Sequence, residues 1–218
     1  GSLDLGSGSM VWRGVQRQPE PLLDQLMMRT VPGVLDIRRP VSSLDQMYAC
    51  ASVLHTIVLP KVKDLAREFH GYFPRNNWAF MGRGSYVKFS EVEAKGGSVG
   101  VKWSGLKSSG RAIEKITRSL GNDPSYLTDI CRFMIAFENF EDLTKCLATL
   151  LTDEEVRVIR IKNRYSPDYD AAKSAGYRDV AINFRIKSDA TLALGAEVHI
   201  CELQLILLSF AEIRSVAG

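Results

Sequence analysis

Two carboxylates and one tyrosine turn, all in the second half of the chain, are the residues whose types and setting best suit chemistry. Asp129 and Glu202 each lie in or at the edge of an apolar run typical of a buried strand, and Tyr177 lies in a Gly-Tyr-Arg-Asp turn before a third such run. A buried carboxylate is costly unless a metal ion or a positive partner satisfies it. Two acids at one sheet edge, with lysines and arginines upstream, are what a magnesium-dependent phosphate-transfer site requires.

The last predicted strand shows where an apolar face becomes polar. Because side chains alternate along a strand, the residues of this segment divide into two sets. One set is apolar throughout and forms a core face: Cys201, Leu203 and Leu205. The other set begins apolar and ends polar: Val198, Ile200, Glu202 and Gln204. Tyr177 and Asp179 likewise share a face. This pattern indicates a strand passing from the core into a pocket, although a structural ion pair remains an alternative role for Glu202.

Composition sets the broad class of the protein. The chain has 218 residues, of which 45% are hydrophobic and 24% charged, as in an ordinary soluble domain. The formal net charge of +3 is too small to indicate nucleic-acid binding by itself. Four separated cysteines without a CxxC pair are typical of buried thiols in a reducing compartment, which favours the cytoplasm. No apolar run is long enough for a membrane span.

Apolar periodicity and turn residues predict an α+β fold. Residues 1–9 resemble an expression remnant and are excluded from the fold prediction. A helical N-terminal region over 10–84 is expected to pack on a second domain over 85–218. The predicted helices cover 21–31, 44–70 (interrupted at Pro60), 109–120 and 140–151. The predicted strands cover 85–89, 99–103, 129–137, 155–162, 177–186 and 196–208, and we expect them to give a mixed sheet of about five strands flanked by helices.

Five segments, in order along 99–208, resemble motifs of one known family. They are the basic loop Gly-Leu-Lys-Ser-Ser-Gly-Arg (105–111), Asp129, Lys-Asn-Arg-Tyr (162–165), the turn Gly176-Tyr177 and Glu-Leu-Gln (202–204). Their order and spacing resemble the synthetase domain of the RelA/SpoT family, which makes the alarmones ppGpp and pppGpp. The resemblance implies a nucleotidyltransferase-like fold for 85–218.

The resemblance also implies an activity and a donor site. The expected reaction is transfer of pyrophosphate from ATP to a ribose 3′-hydroxyl, with Asp129 and Glu202 as the catalytic acids and the ligands of Mg²⁺. The ATP phosphates are expected to meet a set of hydroxyl and basic side chains, namely Lys107, Ser109, Arg111, Lys115 and Arg132. Lys107, Arg111 and Lys115 are spaced four apart, which also fits a solvated basic face. Arg132 also fits a structural ion pair.

On the acceptor side the chain departs from the family pattern. The family's turn carries a serine and a histidine where this chain has Asp179 and Ala181, and Asn163 replaces the aspartate of a Lys-Asp-Tyr motif. The resemblance implies that Tyr177 stacks on the acceptor base, although an ordinary core role fits it too. The polar groups expected around that base are Arg178, Asp179, Asn163 and Gln204.

Three functions fit these residues. The first is a synthetase-only nucleotide pyrophosphokinase. The second is a toxin-like relative, delivered into another cell, that pyrophosphorylates an adenosine nucleotide or the 3′ end of a tRNA. The third is a non-catalytic module that keeps the fold and binds nucleotides or a protein partner. The substrates expected from the resemblance are ATP and a nucleotide acceptor, without a membrane partner. No histidine is followed by aspartate, so the family's hydrolase motif is absent from the sequence.

Overall fold

The computed structural model describes residues 28–31, 34–41, 43–76, 86–96 and 100–216. The expected expression remnant, and residues 21–27 of the first predicted helix, lie outside these ranges. Within them, no helix combines the length and apolar character needed to cross a bilayer.

The described residues form eight strands and six helices. The strands are β1 (Met28–Val31), β2 (Val34–Pro40), β3 (Tyr72–Pro74), β4 (Tyr86–Lys88), β5 (Arg132–Phe137), β6 (Val156–Asn163), β7 (Val180–Ile186) and β8 (Cys201–Leu207). The helices are α1 (Leu44–Glu68), α2 (Phe89–Ala94), α3 (Ser109–Ser119), α4 (Phe140–Thr152), α5 (Asp189–Ala193) and α6 (Leu208–Val216).

Six strands form the main sheet, in the order β4-β3-β5-β8-β7-β6. The central pair β5–β8 is parallel, and the other pairs are antiparallel. The predicted α+β class, a mixed sheet flanked by helices, is therefore confirmed, with six strands instead of about five. Strand β3, a three-residue segment, lies outside every predicted strand.

The two faces of this sheet differ in chemistry because side chains alternate along each strand. One face is apolar and packs against α1 and α4, with Phe133, Ile135, Ile182, Leu203 and Leu205 among its buried residues. On the other face, Arg132 of β5 lies opposite Glu202 of β8, and Glu202 lies opposite Asn183 of β7. Polar groups from neighbouring strands therefore meet on one side of the sheet.

The loop that leads into α3 is tied to two other elements. The backbone N–H of Lys107 donates to the carbonyl of Ile130 (3.0 Å), just before β5. On the other side, the Tyr48 hydroxyl of α1 donates to the Lys107 carbonyl (2.6 Å), and His55 Nε2 lies 2.6 Å from the Ser104 carbonyl. These bonds hold the basic loop between the long helix and the edge of the sheet.

Helix α1 corrects one prediction. Pro60 was expected to interrupt the helix, but α1 runs through it. Pro60 is exposed, whereas Leu54, Val58 and Val62 on either side of it are buried in the core. Because apolar packing before and after Pro60 holds the same helix, the cost of the missing N–H does not end it.

Two further secondary-structure predictions are wrong. Residues 28–31, predicted as helix, form β1, which pairs antiparallel with β2. The segment 99–103, predicted as a strand, contributes only a bridge between Val101 and Arg75 among its described residues. Both segments are short, so the pairing partner decided their structure and the local pattern did not.

Candidate active site

Asp129 lies in the segment before β5 and is held by two lysines. Its carboxylate is buried, with 6% of the residue exposed, and Oδ2 accepts hydrogen bonds from Lys107 (2.7 Å) and Lys115 (3.0 Å). Burial acts to raise the pKa of Asp129, but the hydrogen bond from Lys107 and the charge of Lys115 outweigh it, so the pKa is lowered from its usual 3.8. The other oxygen, Oδ1, is buried without a hydrogen-bond partner among the described residues.

Glu202 lies at the same end of the parallel pair β5–β8. Its backbone N–H donates to the Cys131 carbonyl (2.9 Å), and its Oε1 accepts a hydrogen bond from Gln204 Nε2 (3.1 Å). Burial raises the pKa of Glu202 above 4.5, and the nearby charge of Asp129 raises it further, while Arg132 and Lys115 partly oppose the change. The two carboxylates are thus close enough to repel one another.

A cleft of about 500 Å³ lies beside these acids. We call it the basic cleft, because its walls carry Lys107, Arg111, Lys115, Arg118 and Arg132. Glu114 also lines it and is paired with Arg118 (2.7 Å). Of these residues, Lys107 and Lys115 form ion pairs with Asp129. Arg132 lies opposite Glu202 in the sheet. This arrangement can bind a polyphosphate next to two carboxylates.

The first turn of α3 adds a further positive end to the basic cleft. Ser108 is the N-cap of α3 and lines the cleft, and its side chain makes no capping hydrogen bond. The N–H groups at a helix N-terminus carry partial positive charge and bind anions. Ser109, which was predicted to bind phosphate, begins α3 but does not line this cleft, whereas its neighbour Ser108 does.

Arg118 was missed by sequence reasoning, although its position could have been derived. It follows Lys115 by three residues and Arg111 by seven, so the three lie on one face of α3. Asp129 was predicted as part of a strand, but β5 begins only at Arg132. Placing Asp129 in the preceding segment lets it reach both lysines.

A second cleft, of about 270 Å³, adjoins the basic cleft through their shared residue Lys115. We call it the Tyr126 cleft. Its other walls come from α3, β6, β7 and the segments before β5 and β8, and include Tyr126, Thr128, Arg160, Asn183 and Ile200. These residues are far apart in the sequence, so the sequence alone did not suggest that they line one cleft.

The predicted acceptor residues lie elsewhere. Asp179 is fully buried, pairs with Arg164 and accepts a hydrogen bond from the Tyr177 hydroxyl (2.9 Å). The Arg164 guanidinium lies 5.8 Å from the centre of the Tyr177 ring, and that ring packs against a small apolar cluster around Ala136 and Ile206. Tyr177 and Asp179 line neither of the two clefts.

The remaining acceptor candidates are also engaged locally. Arg178 donates to the Arg164 carbonyl (2.8 Å), and the Asn163 side chain accepts from the Tyr165 N–H (2.9 Å). Gln204, also in the predicted acceptor set, contacts a predicted catalytic residue through its bond to Glu202.

Comparison with known proteins gives matches only among solved structures. No protein-family model matches the chain, and no curated protein matches it in sequence. The small alarmone synthetase 2 from Bacillus subtilis is 15% identical, with a TM-score of 0.49, over 79% of this chain and 76% of that one. The small alarmone synthetase 1 from the same organism, bound to its product pppGpp, is 16% identical, with a TM-score of 0.43, over 51% of this chain and 56% of that one.

A third matching structure is the complex between the Type VI effector Tas1 and its immunity protein. It is 16% identical, with a TM-score of 0.45, over 82% of this chain and 64% of that one. The chain therefore spans 56% and 64% of the length of two of these three proteins. The predicted resemblance to small alarmone synthetases is confirmed, but at these identities and TM-scores the matches carry no argument about activity.

Proposed function

We propose that this chain is a pyrophosphotransferase that moves the β,γ-diphosphate of ATP to the ribose 3′-hydroxyl of a nucleotide. One observation carries the proposal: two lysines that line the basic cleft also hold the buried carboxylate Asp129, and a second carboxylate, Glu202, lies close by. A cleft for a polyphosphate that ends at two acids fits phosphate transfer better than simple anion binding.

The proposed step balances as a single displacement. The acceptor 3′-oxygen attacks the β-phosphorus of ATP, the bond from the α,β-bridging oxygen to the β-phosphorus breaks, and AMP leaves with the bridging oxygen. Glu202 accepts the proton of the attacking hydroxyl. Burial and the charge of Asp129 raise the pKa of Glu202, which makes its carboxylate a better base than an exposed glutamate.

The basic side chains act by position and charge. Arg111 and Lys107 are proposed to hold the transferred diphosphate, and Arg132 and Lys115 the negative charge that develops as AMP leaves. When ATP enters, the two lysines can exchange part of their contact with Asp129 for contact with phosphate oxygens. Asp129 thereby keeps these ammonium groups oriented in the absence of the nucleotide.

The donor set fits Mg²⁺. Asp129 Oδ1 is a buried carboxylate oxygen without a hydrogen-bond partner among the described residues, and the charge of Asp129 acts on Glu202. No group of three or more His, Cys, Asp or Glu side chains suited to a metal occurs in the described part of the chain. Magnesium needs only one or two carboxylates together with substrate phosphates. Asp129 and Glu202 would hold the ion, which would neutralise phosphate charge.

A second candidate function, nucleotide binding without transfer, is favoured by one observation. Oδ2 of Asp129 is already bonded to two ammonium groups, which leaves only Oδ1 for a metal. A chain that keeps this arrangement with ATP bound would hold the nucleotide but would not assemble a metal site.

One assay separates the two functions. The protein is incubated with magnesium, ATP labelled in the β-phosphate, and GDP, GTP, AMP, ATP or tRNA as acceptor, while ATP binding is measured by calorimetry. We expect release of AMP in equal amount to a newly labelled acceptor. ATP binding without any labelled product would support the non-catalytic module, and absence of ATP binding would contradict both.

A further inference from the structure

We infer that the Tyr126 cleft binds the nucleoside of the acceptor, a role that the resemblance to alarmone synthetases gave to Tyr177. The inference rests on the proposed function for the identity of the donor, which occupies the basic cleft. The assignment of the nucleoside to this cleft is supported by separate observations. These are the position of the cleft near Glu202, the chemistry of its walls and the contacts that Tyr177 already makes.

Position relates the Tyr126 cleft to both acids. Thr128, in its wall, directly precedes Asp129, and Asn183 lies opposite Glu202 in the sheet. Ile200 directly precedes β8 and lies two residues before Glu202. Lys115 lines both clefts and contacts Asp129 between them. A ribose bound here would therefore lie next to the proposed base and across Lys115 from the donor phosphates.

Charge assigns the two clefts to different parts of the substrates. The basic cleft has five lysines and arginines and one glutamate, whereas the Tyr126 cleft has two basic residues, Lys115 and Arg160. Its volume, about 270 Å³, is just below the roughly 300–1,000 Å³ typical of sites for drug-sized ligands. A nearly uncharged nucleoside suits this space better than a triphosphate.

The walls of the Tyr126 cleft have the chemistry that recognises a base. Tyr126 is 41% exposed, so its ring is available to stack on a base, and Ile159 and Ile200 supply apolar surface. Base stacking on an aromatic ring tolerates any base. Discrimination between bases must then come from the polar groups that surround the ring.

Arg160 is the polar group best prepared for that task. Its Nε and Nη2 donate to Asn183 Oδ1 at 3.2 and 2.8 Å, and the ion pairs among the described residues do not include it. Asn183 in turn donates to the Thr128 carbonyl (3.4 Å). The two bonds to Asn183 orient the guanidinium, and its remaining N–H groups can only donate. They select acceptor atoms on the base or ribose.

By contrast, the Tyr177 ring is already occupied. Its hydroxyl donates to Asp179, Arg164 lies over the ring, and the ring packs in an apolar cluster. A base that stacked on Tyr177 would have to share the ring with these contacts. The Tyr126 ring, in a residue that is 41% exposed, offers a more open surface.

The test uses four variants of the full chain: Tyr126→Ala, Tyr126→Phe, Arg160→Ala and, as control, Arg157→Ala. Arg157 is exposed on the same strand as Arg160 and lines neither cleft. Calorimetry measures the Kd of each variant for GDP, for ADP and, with magnesium, for α,β-methylene-ATP, whose α,β-link cannot be cleaved. Circular dichroism and Tm check that each variant folds.

We expect Tyr126→Ala and Arg160→Ala each to raise the Kd for GDP or ADP by about tenfold, with the Kd for the ATP analogue changed less than about twofold. Tyr126→Phe and Arg157→Ala should bind like wild type. Weaker binding of the ATP analogue alone would place the donor in this cleft and overturn the inference. Unchanged binding of all nucleotides by Tyr126→Ala and Arg160→Ala would overturn it too, as would a wild-type chain that binds neither diphosphate.

The two proposals can fail separately. If Tyr126 and Arg160 are needed for diphosphate binding but wild type transfers nothing, the nucleoside cleft stands and the proposed function falls. If wild type transfers pyrophosphate and the two variants keep the wild-type KM for the acceptor, the function stands and the nucleoside cleft falls.

Discussion

The basic cleft and the tyrosine turn (Gly176–Asp179) both carry charged side chains, yet they use charge in opposite ways. Around the basic cleft, positive side chains exceed negative ones and line an open space. In the tyrosine turn, Asp179 is fully buried and matched by Arg164 and the Tyr177 hydroxyl. Surplus charge at a cavity is available to a ligand, whereas charge matched inside the protein holds the fold. Similar residue types thus indicate a site in one region and a structural network in the other.

Among the tests of this difference, the largest loss of activity is expected from a substitution of Glu202. Glu202→Gln should lower pyrophosphate transfer by about 10²–10⁴-fold, because the amide cannot accept the proton of the attacking hydroxyl. The Kd for ATP without magnesium should change little, since Glu202 does not line the basic cleft. Single-turnover assays with labelled ATP, alongside calorimetry, measure both quantities. Transfer that survives in Glu202→Gln would remove Glu202 from the proposed step.

Substitutions in the tyrosine turn should lower the stability of the fold. Asp179→Ala leaves the Arg164 guanidinium without its partner, which for a buried pair costs about 3–5 kcal/mol of unfolding free energy. Urea titration followed by circular dichroism measures the loss. Asp179→Asn is the matched control, because it keeps the shape and one oxygen that can accept from Arg164, while its amide N–H can donate to the Tyr177 hydroxyl, and it should lose less. If the Asp179→Ala variant were as stable as wild type and had an altered acceptor preference, the turn would instead be part of the acceptor site.

The basic cleft should respond in donor affinity. Arg111→Ala removes one exposed guanidinium from the cleft and should raise the Kd for ATP with magnesium by about tenfold, the cost of one charge-assisted hydrogen bond. Its Tm without nucleotide should match that of wild type. Thermal shift with added ATP and magnesium gives the comparison with Arg157→Ala. Equal stabilisation of both variants by ATP would contradict the donor assignment.

The smallest effect is expected from pH. Because the pKa of Glu202 is raised above 4.5, the base form is lost earlier on acidification than for an ordinary glutamate. The pKa of Asp129 is lowered, so Asp129 stays ionised across the same range. Transfer should therefore fall as the pH is lowered from neutral, with an inflection above that of an exposed glutamate. A profile of kcat/KM against pH reports this group in the free enzyme, and a flat profile down to the pKa of a normal glutamate would contradict the role.

Local sequence was sufficient for the elements that carry strong patterns of their own. Helix α3 begins at the predicted Ser109 and ends one residue before the predicted Leu120, because Gly121 with its positive φ closes it. Helix α4 and strand β6 lie within one residue of prediction at each end. In these segments, apolar period and turn residues point to the same structure.

Long-range pairing decided what sequence could not supply. Nothing near Asp179 in the sequence identifies Arg164 as its partner, so the turn was expected to face a ligand. The same holds for the Tyr126 cleft, whose aromatic ring, guanidinium and amide come from three distant segments. Strand β3 was missed because three residues carry too little pattern to outweigh the surrounding loop signals.

The parallel pairing of β5 with β8 has a consequence for folding. These strands are far apart in the chain, and their register alone sets Arg132 opposite Glu202. Contacts of such high sequence separation form slowly, because loop closure must precede them. A slip of one residue would turn Glu202 to the helix-covered face and Leu203 to the open one. During refolding, catalytic competence should therefore appear no earlier than this central pairing, and a fragment lacking either strand cannot assemble the two acids.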